Sequence, residues 1–363
     1  MLRTVLERCN AVVMFAMIGP VALLCACAGA PALEARGGIP QAAGASVRVP
    51  EGASCGSARC LYVVTYTGQR QSPTLNVYPI TTKMGKPTAR IYGRQTDLYN
   101  PMGLAMDGAG NLYVTNGGAR SVTVYAAGLF GHNDGPIQRI RGLATALFGP
   151  SGVAVDQSGN IYVANQGSQR GHPDSINVYA PGASGNVKPI REIHGFKTGL
   201  ALPTGVAFDS AGNLYVANLG TSGGSVTVYA PGSSGDAIPI RTITGSNTQL
   251  ATWPSAIALD ASGNLYVANP TSGPVQSITI YAPGANGNVA PIHVIEGAST
   301  QLRDPTSVTV DSGGDVFVGD SSYDGQIYEF AAGVFGDNSP TQTINGFYKY
   351  TRLHTEVSGI IAR

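Results

Sequence analysis

The chain has 363 residues, only 12% of them charged, with 49 glycines and 17 tyrosines. That composition excludes a protein built from charged amphipathic helices and points to turn-rich β-structure. With 22 basic and 21 acidic side chains the net charge is +1, which supplies neither the basic stripe of a nucleic-acid surface nor a polybasic membrane patch.

The first predicted element is a targeting segment. Arg3 and Arg8 precede an apolar run from Ala11 to about Ala26, and Ala- and Gly-rich sequence follows. This is the layout of a secretory signal, assigned to residues 1–28 and set apart from the fold. The run is too short to favour a permanent membrane span. Leu24-Cys25-Ala26-Cys27 resembles a bacterial lipobox, with Cys27 as the lipidated residue. A lipid there tethers a domain without crossing the bilayer. The alternative is plain cleavage at the small-x-small site Ala26-Cys27-Ala28. The expected location is the periplasm or the outer membrane as a lipoprotein, with secretion as the alternative.

Residues 29–58, rich in Ala, Gly and Pro at first, read as a flexible tether. The five cysteines fall at positions 9, 25, 27, 55 and 60. In an oxidising compartment Cys55 and Cys60 are expected to close a short disulfide loop. No second Cys or His pair accompanies them, so no zinc site is expected.

From residue 60 onward the chain repeats itself at roughly fifty-residue intervals, a propeller-blade period. Pro150 opens PSGVAVDQSGNIYVAN, Pro203 opens PTGVAFDSAGNLYVAN and Pro254 opens PSAIALDASGNLYVAN. Pro101 and Pro305 open looser copies. Each unit predicts four short strands. In the Pro203 unit these are Gly205–Phe208, Leu214–Ala217, Ser225–Tyr229 and Pro239–Ile243. Asp209, Gly212 and Asn213 form the tight turn between the first two. The leading Pro239 suits an outer edge strand, because it cannot donate to a ladder.

The fourth strand recurs six times, from Pro87, Pro136, Pro189, Pro239, Pro291 and Pro340. The second also occurs six times, Leu61–Thr65 being its first copy. The first strand is missing from the N-terminal unit, and Val357–Ala362 supplies it from the other end of the chain. The prediction is an all-β, six-bladed β-propeller over residues 59–363, with residues 357–362 completing the N-terminal blade and so closing the ring.

The unit P-x-G-(apolar)-A-(apolar)-D-x-x-G-N-(apolar)-Y-V-A-N resembles the NHL repeat of β-propellers. The likeness spans residues 60–363. It implies the fold rather than the function, because the family holds enzymes and binding modules alike. The motif ends in Asn at Asn116, Asn165, Asn218 and Asn269, where the NHL pattern usually has Asp; Asp320 keeps the acid.

In such a fold the loops before the first strand and after the second share one face. The residue after the opening Pro is Met102, Ser151, Thr204, Ser255 or Thr306, and Ser358 holds that place in the closing strand. Five hydroxyls and one Met are thus expected to ring the channel mouth. Asn116, Asn165, Asn218, Asn269 and Asp320 lie farther out. Two readings apply to both rings: contacts to a small polar ligand, or bonds to the adjacent loop backbone.

The gluconolactonase-like propellers hold a divalent metal at the centre with Asn, Asp and Glu, some of them at the position after the opening Pro. Here that position offers no carboxylate and no amide, so no metal and no cofactor is expected. An acid–base enzyme needs a pair at the mouth. His172 beside Asp174 and His354 near Glu356, with Asp324, are the candidates there; His132, His194 and His293 fall elsewhere. No G-x-S-x-G elbow surrounds a serine. Tyr99, Phe148, Trp253, Tyr323, Phe347 and Tyr348 lie in or near loops of the same face, and Phe130 and Phe335 mark the opposite one. The expected function is a monomeric binding module for a protein or a small polar ligand. The alternative is a metal-independent lyase-like or lactonase-like enzyme.

Overall fold

The computed structural model describes residues 59–67, 73–80, 87–128, 131, 133–167, 171–220, 223–270, 276–322, 325–344 and 355–363. The signal, the tether, Cys27, Cys55, His132, His354, Asp324, Tyr323, Phe130, Phe347 and Tyr348 lie outside them. Cys60 is disulfide-bonded.

Six four-stranded antiparallel sheets make a six-bladed β-propeller. Blade 2 runs outward through Pro101–Met106, Leu112–Asn116, Ser121–Tyr125 and Gln138–Arg141. Blades 3 and 4 repeat it from Pro150–Val155 and Pro203–Phe208, and blades 5 and 6 from Ala256–Leu259 and Pro305–Val310. Blade 1 is composite. Its innermost strand is Thr355–Ala362, paired antiparallel with Cys60–Thr67, which continues to Thr74–Pro79 and Ala89–Ile91. The C-terminal strand therefore closes the ring, two residues longer at its start than the sequence suggested. Each innermost strand neighbours the next, and the last neighbours the first.

The second strand of each repeat explains the packing. Leu214–Asn218 is buried at every residue, as are its counterparts in blades 2, 3, 5 and 6. Such a strand contacts a neighbouring blade on each face. The core is accordingly divided into six apolar clusters, one between each adjacent pair of blades. Hydrophobic burial thus holds blade to blade, and no blade has a core of its own.

The turn chemistry follows the sequence. Asp209 Oδ1 accepts from the backbone N–H groups of Ala211 (3.0 Å) and Asn213 (2.8 Å), and Asp209 Oδ2 accepts from Asn213 Nδ2 (2.8 Å). Asp156 and Asp260 repeat this geometry. The outer strand is shorter than expected. It spans Arg241–Ile243, because Pro239 has no N–H and the ladder begins with Ile240 N–H donating to Val228 (2.8 Å).

Candidate functional site

The site begins with a kink in the innermost strand. Its register to the second strand slips just after the opening Pro in blades 2, 3, 4 and 6. Such a bulge re-aims the side chain it carries. The re-aimed residues are Met102, Ser151, Thr204 and Thr306. With Ser255 and Ser358 they line one central cavity of about 370 Å³.

The hydroxyls are already engaged. Ser151 Oγ donates to the Pro203 carbonyl (2.6 Å), Thr204 Oγ1 to that of Pro254 (2.8 Å), and Ser255 Oγ to that of Pro305 (2.9 Å). Thr306 Oγ1 donates to Val357 (2.7 Å). Each bond joins one blade to the next, so the hydroxyl ring is also a circumferential clasp. Blade 2 has Met102 at this position, and Thr115 on its second strand donates to the Ser151 carbonyl instead. Ser358 Oγ turns to Val64 within its own blade (3.3 Å).

The Asn ring lies away from the cavity. Asn116, Asn165, Asn218, Asn269 and Asp320 are all buried, and none lines it. Asn269 Oδ1 accepts from Ala251 N–H (2.9 Å), while its Nδ2 donates to Val267 O (3.2 Å) and Thr279 Oγ1 (3.0 Å). Asn165, Asn218 and Asn116 likewise accept from the loop that enters their blade. Asp320 accepts from the N–H groups of Arg303 (2.7 Å) and Asp304 (2.9 Å), and its other oxygen accepts from Ser322. These residues tie the mouth loops to the sheet and set the positions of those that do line the cavity.

The remaining lining comes from columns of the repeat that vary. The residue after the strand-ending Asn or Asp contributes Gln166, Leu219, Pro270 and Ser321, and the residue before the opening Pro contributes Asn100 and Trp253. Loops before the first strand and after the second do share one face. Both columns differ between repeat copies, which is the signal the sequence carries for them.

His172 does not join the lining. It stacks on Phe148, with ring centroids 3.4 Å apart. Asp174 Oδ2 accepts from Leu202 N–H (2.7 Å). No group of three or more metal-capable His, Cys, Asp or Glu side chains occurs among the described residues. Near the mouth, Asp304 has its carboxyl pushed above its ordinary range by burial, with the charge of Asp320 adding to the effect. On the other side of the molecule His293 stacks on Phe335, centroids 3.9 Å apart.

No protein-family model matches the chain, and no curated protein matches it. Solved structures share its fold. A protein of unknown function from Bacteroides caccae is 13% identical, with a TM-score of 0.54, over 84% of this chain and 99% of that one. A candidate 6-phosphogluconolactonase from Bacteroides uniformis is 16% identical, with a TM-score of 0.52, over 78% of this chain and 84% of that one. A protein from Lactobacillus plantarum is 14% identical, with a TM-score of 0.51, over 84% and 99% of the two chains. The likeness is one of fold: this chain is a six-bladed β-propeller, closed by its own last strand.

Proposed function

We propose that this chain is an exported, NHL-type repeat propeller that binds a small ligand in the central cavity at its variable-loop face. The observation that carries this reading is the cavity itself. Its volume of about 370 Å³ is that of a small-molecule site, and its described lining is apolar and hydroxylic, with the carboxamides of Asn100 and Gln166 and without Asp, Glu, His, Lys or Arg. Such a lining holds a ligand by shape and hydrogen bonds and supplies no acid–base pair. The N-terminal segment then exports the domain, and lipid on Cys27 tethers it through residues 29–58. Lipid labelling of the full chain in a bacterial host, lost in Cys27→Ala, is the expected outcome for that part of the reading.

A second reading keeps the enzyme class, favoured by the carboxyl of Asp304 and by the fold shared with the Bacteroides uniformis protein named as a candidate lactonase. An assay of the purified full chain against lactones and cyclic depsipeptides separates the two. The binding reading expects no turnover. Turnover that is lost in Asp304→Asn or His172→Ala replaces it with the enzyme.

A further inference from the structure

We infer that the mouth cavity takes an uncharged, hydroxyl-rich ligand of one or two sugar rings, with an apolar face against Trp253; this rests on the binding reading above. The argument is a count of protons. A Ser or Thr hydroxyl carries one donor and two lone pairs. At Ser151, Thr204, Ser255 and Thr306 the next blade's carbonyl stands at 2.6, 2.8, 2.9 and 2.7 Å and a carbonyl of the residue's own blade at 3.3 Å, so the one proton is taken by a carbonyl. Thr306 then has none left for Ser321, 2.9 Å away, so Ser321 is the donor of that pair. These side chains therefore offer the cavity lone pairs.

A phosphate or carboxylate offers lone pairs in return; the amides of Asn100 and Gln166 bring donors, but the described lining contains no Lys, Arg or His whose charge would offset an anion's desolvation. An ammonium has donors, but the described lining holds no carboxylate to offset its desolvation. An uncharged polyol satisfies both conditions. Its O–H groups donate to the ring, and the C–H face of a sugar packs on an aromatic plane. The apolar surface is placed for this. Trp253 precedes blade 5 and Met102 opens blade 2, so they line the cavity from opposite sides of the ring. They are 56% and 41% exposed.

Trp253 is the only tryptophan in the sequence, so its emission reports on this cavity alone. The full chain is titrated with glucose, galactose, mannose, N-acetylglucosamine and cellobiose. Glucose 6-phosphate, gluconate and glucosamine are the charged counterparts. The expected result is a saturable change with at least one neutral sugar and binding at least about tenfold weaker for its charged counterpart. By calorimetry, Trp253→Ala weakens the neutral sugar by about threefold to tenfold, with its melting transition unchanged. A stronger response to a charged counterpart overturns the inference and leaves the binding reading standing. Silence from every neutral sugar also overturns it. If the charged compounds and a broad fragment library are silent as well, the binding reading falls with it.

Discussion

At the residue scale, small side chains decide how closely the blades meet. Two residues after the opening Pro, or after Val357 in the closing strand, stands Gly103, Gly152, Gly205, Ala256, Ser307 or Gly359. A Cβ on Gly152 would collide with the Thr204 carbonyl, and one on Gly103 with that of Ser151. Blade 6 departs from this rule and compensates. Ser307 pairs across the ladder with Gly319, where blades 3, 4 and 5 have Ala164, Ala217 and Ala268, and a Cβ on Gly319 would meet Ser307 Oγ and Val357. Ser307 Oγ is buried and has no hydrogen-bond partner among the described residues. Gly319→Ala should cost about 1–3 kcal/mol by overpacking. Ser307→Ala should stabilise by about 1 kcal/mol, since it removes an unpaired buried hydroxyl. The double variant should recover part of the Gly319→Ala loss, as chemical denaturation of the four proteins would measure; strictly additive effects would refute the coupling.

Glu329 is a second residue-scale case. It is 6% exposed, one of its oxygens has no partner among the described residues, and Arg59 pairs with Asp311 and Asp315 instead. Burial raises the Glu329 carboxyl above its ordinary value of 4.5, Asp315 and Asp311 add to this, and Arg59 opposes it. A carboxyl raised on folding binds its proton more tightly in the folded chain. Its contribution to stability is present at acid pH and is lost as pH rises through the raised value. Stability should therefore fall as pH climbs from about 4.5 through that value, and Glu329→Gln should flatten the slope. Thermal midpoints across this range, with an unchanged slope in the variant, would refute the assignment.

At the element scale, three belts of hydrogen bonds clasp the blades. The inner belt is the hydroxyl ring. The middle belt is the Asn and Asp set that anchors each incoming loop. The outer belt lies at the corner after each fourth strand, where Gly142, Gly195, Gly245 and Gly297 adopt φ of 130°, 129°, 117° and 116°. Only Gly holds that backbone without strain. A Cβ there would also meet Asn186, Asp236, Asn288 or Asp337 of the next blade. Those same side chains accept from Ala144 (2.8 Å), Lys197 (2.7 Å), Asn247 (2.7 Å) and Ser299 (2.6 Å) N–H groups. The belts differ in what truncation leaves behind. Asn218→Ala strips the half-buried N–H of Ala201 of its acceptor, besides the buried bonds to Val216 and Thr227, and should cost about 1–3 kcal/mol. Ser255→Ala removes the hydroxyl's bond to the Pro305 carbonyl, strands no N–H donor, and should cost about 1 kcal/mol. Equal losses in urea titrations would show that the inner and middle belts carry the same load.

At the scale of the whole molecule, stability depends on closure. Each apolar cluster is shared by two blades, so opening the ring exposes surface on both sides of the break. Val357 and Ile360 belong to the cluster between blades 6 and 1, and Cys60–Thr67 has no other inner partner than Thr355–Ala362. Deleting residues 357–363 should lower the thermal midpoint by on the order of 10 °C or broaden the transition. A truncated chain melting at the same temperature would mean that the N-terminal strands close the ring without it.

The repeat by itself determined the blade count, the four strands per blade and the sharing of one blade between the two ends of the chain. It could do so because burial on both faces of LYVAN and the Asx turn at Asp209–Asn213 are local consequences of residue order. The site was only half legible. The ring of hydroxyls could be read from the residue after each opening Pro, but not the direction of their protons. That direction depends on the bulge after Pro203 and on a carbonyl in the neighbouring blade. Nor could the sequence show that Asn269 turns inward to its loop while Trp253, from the loop before blade 5, lines the cavity. Both facts are set by contacts between segments far apart in the chain, which only the closed ring brings together.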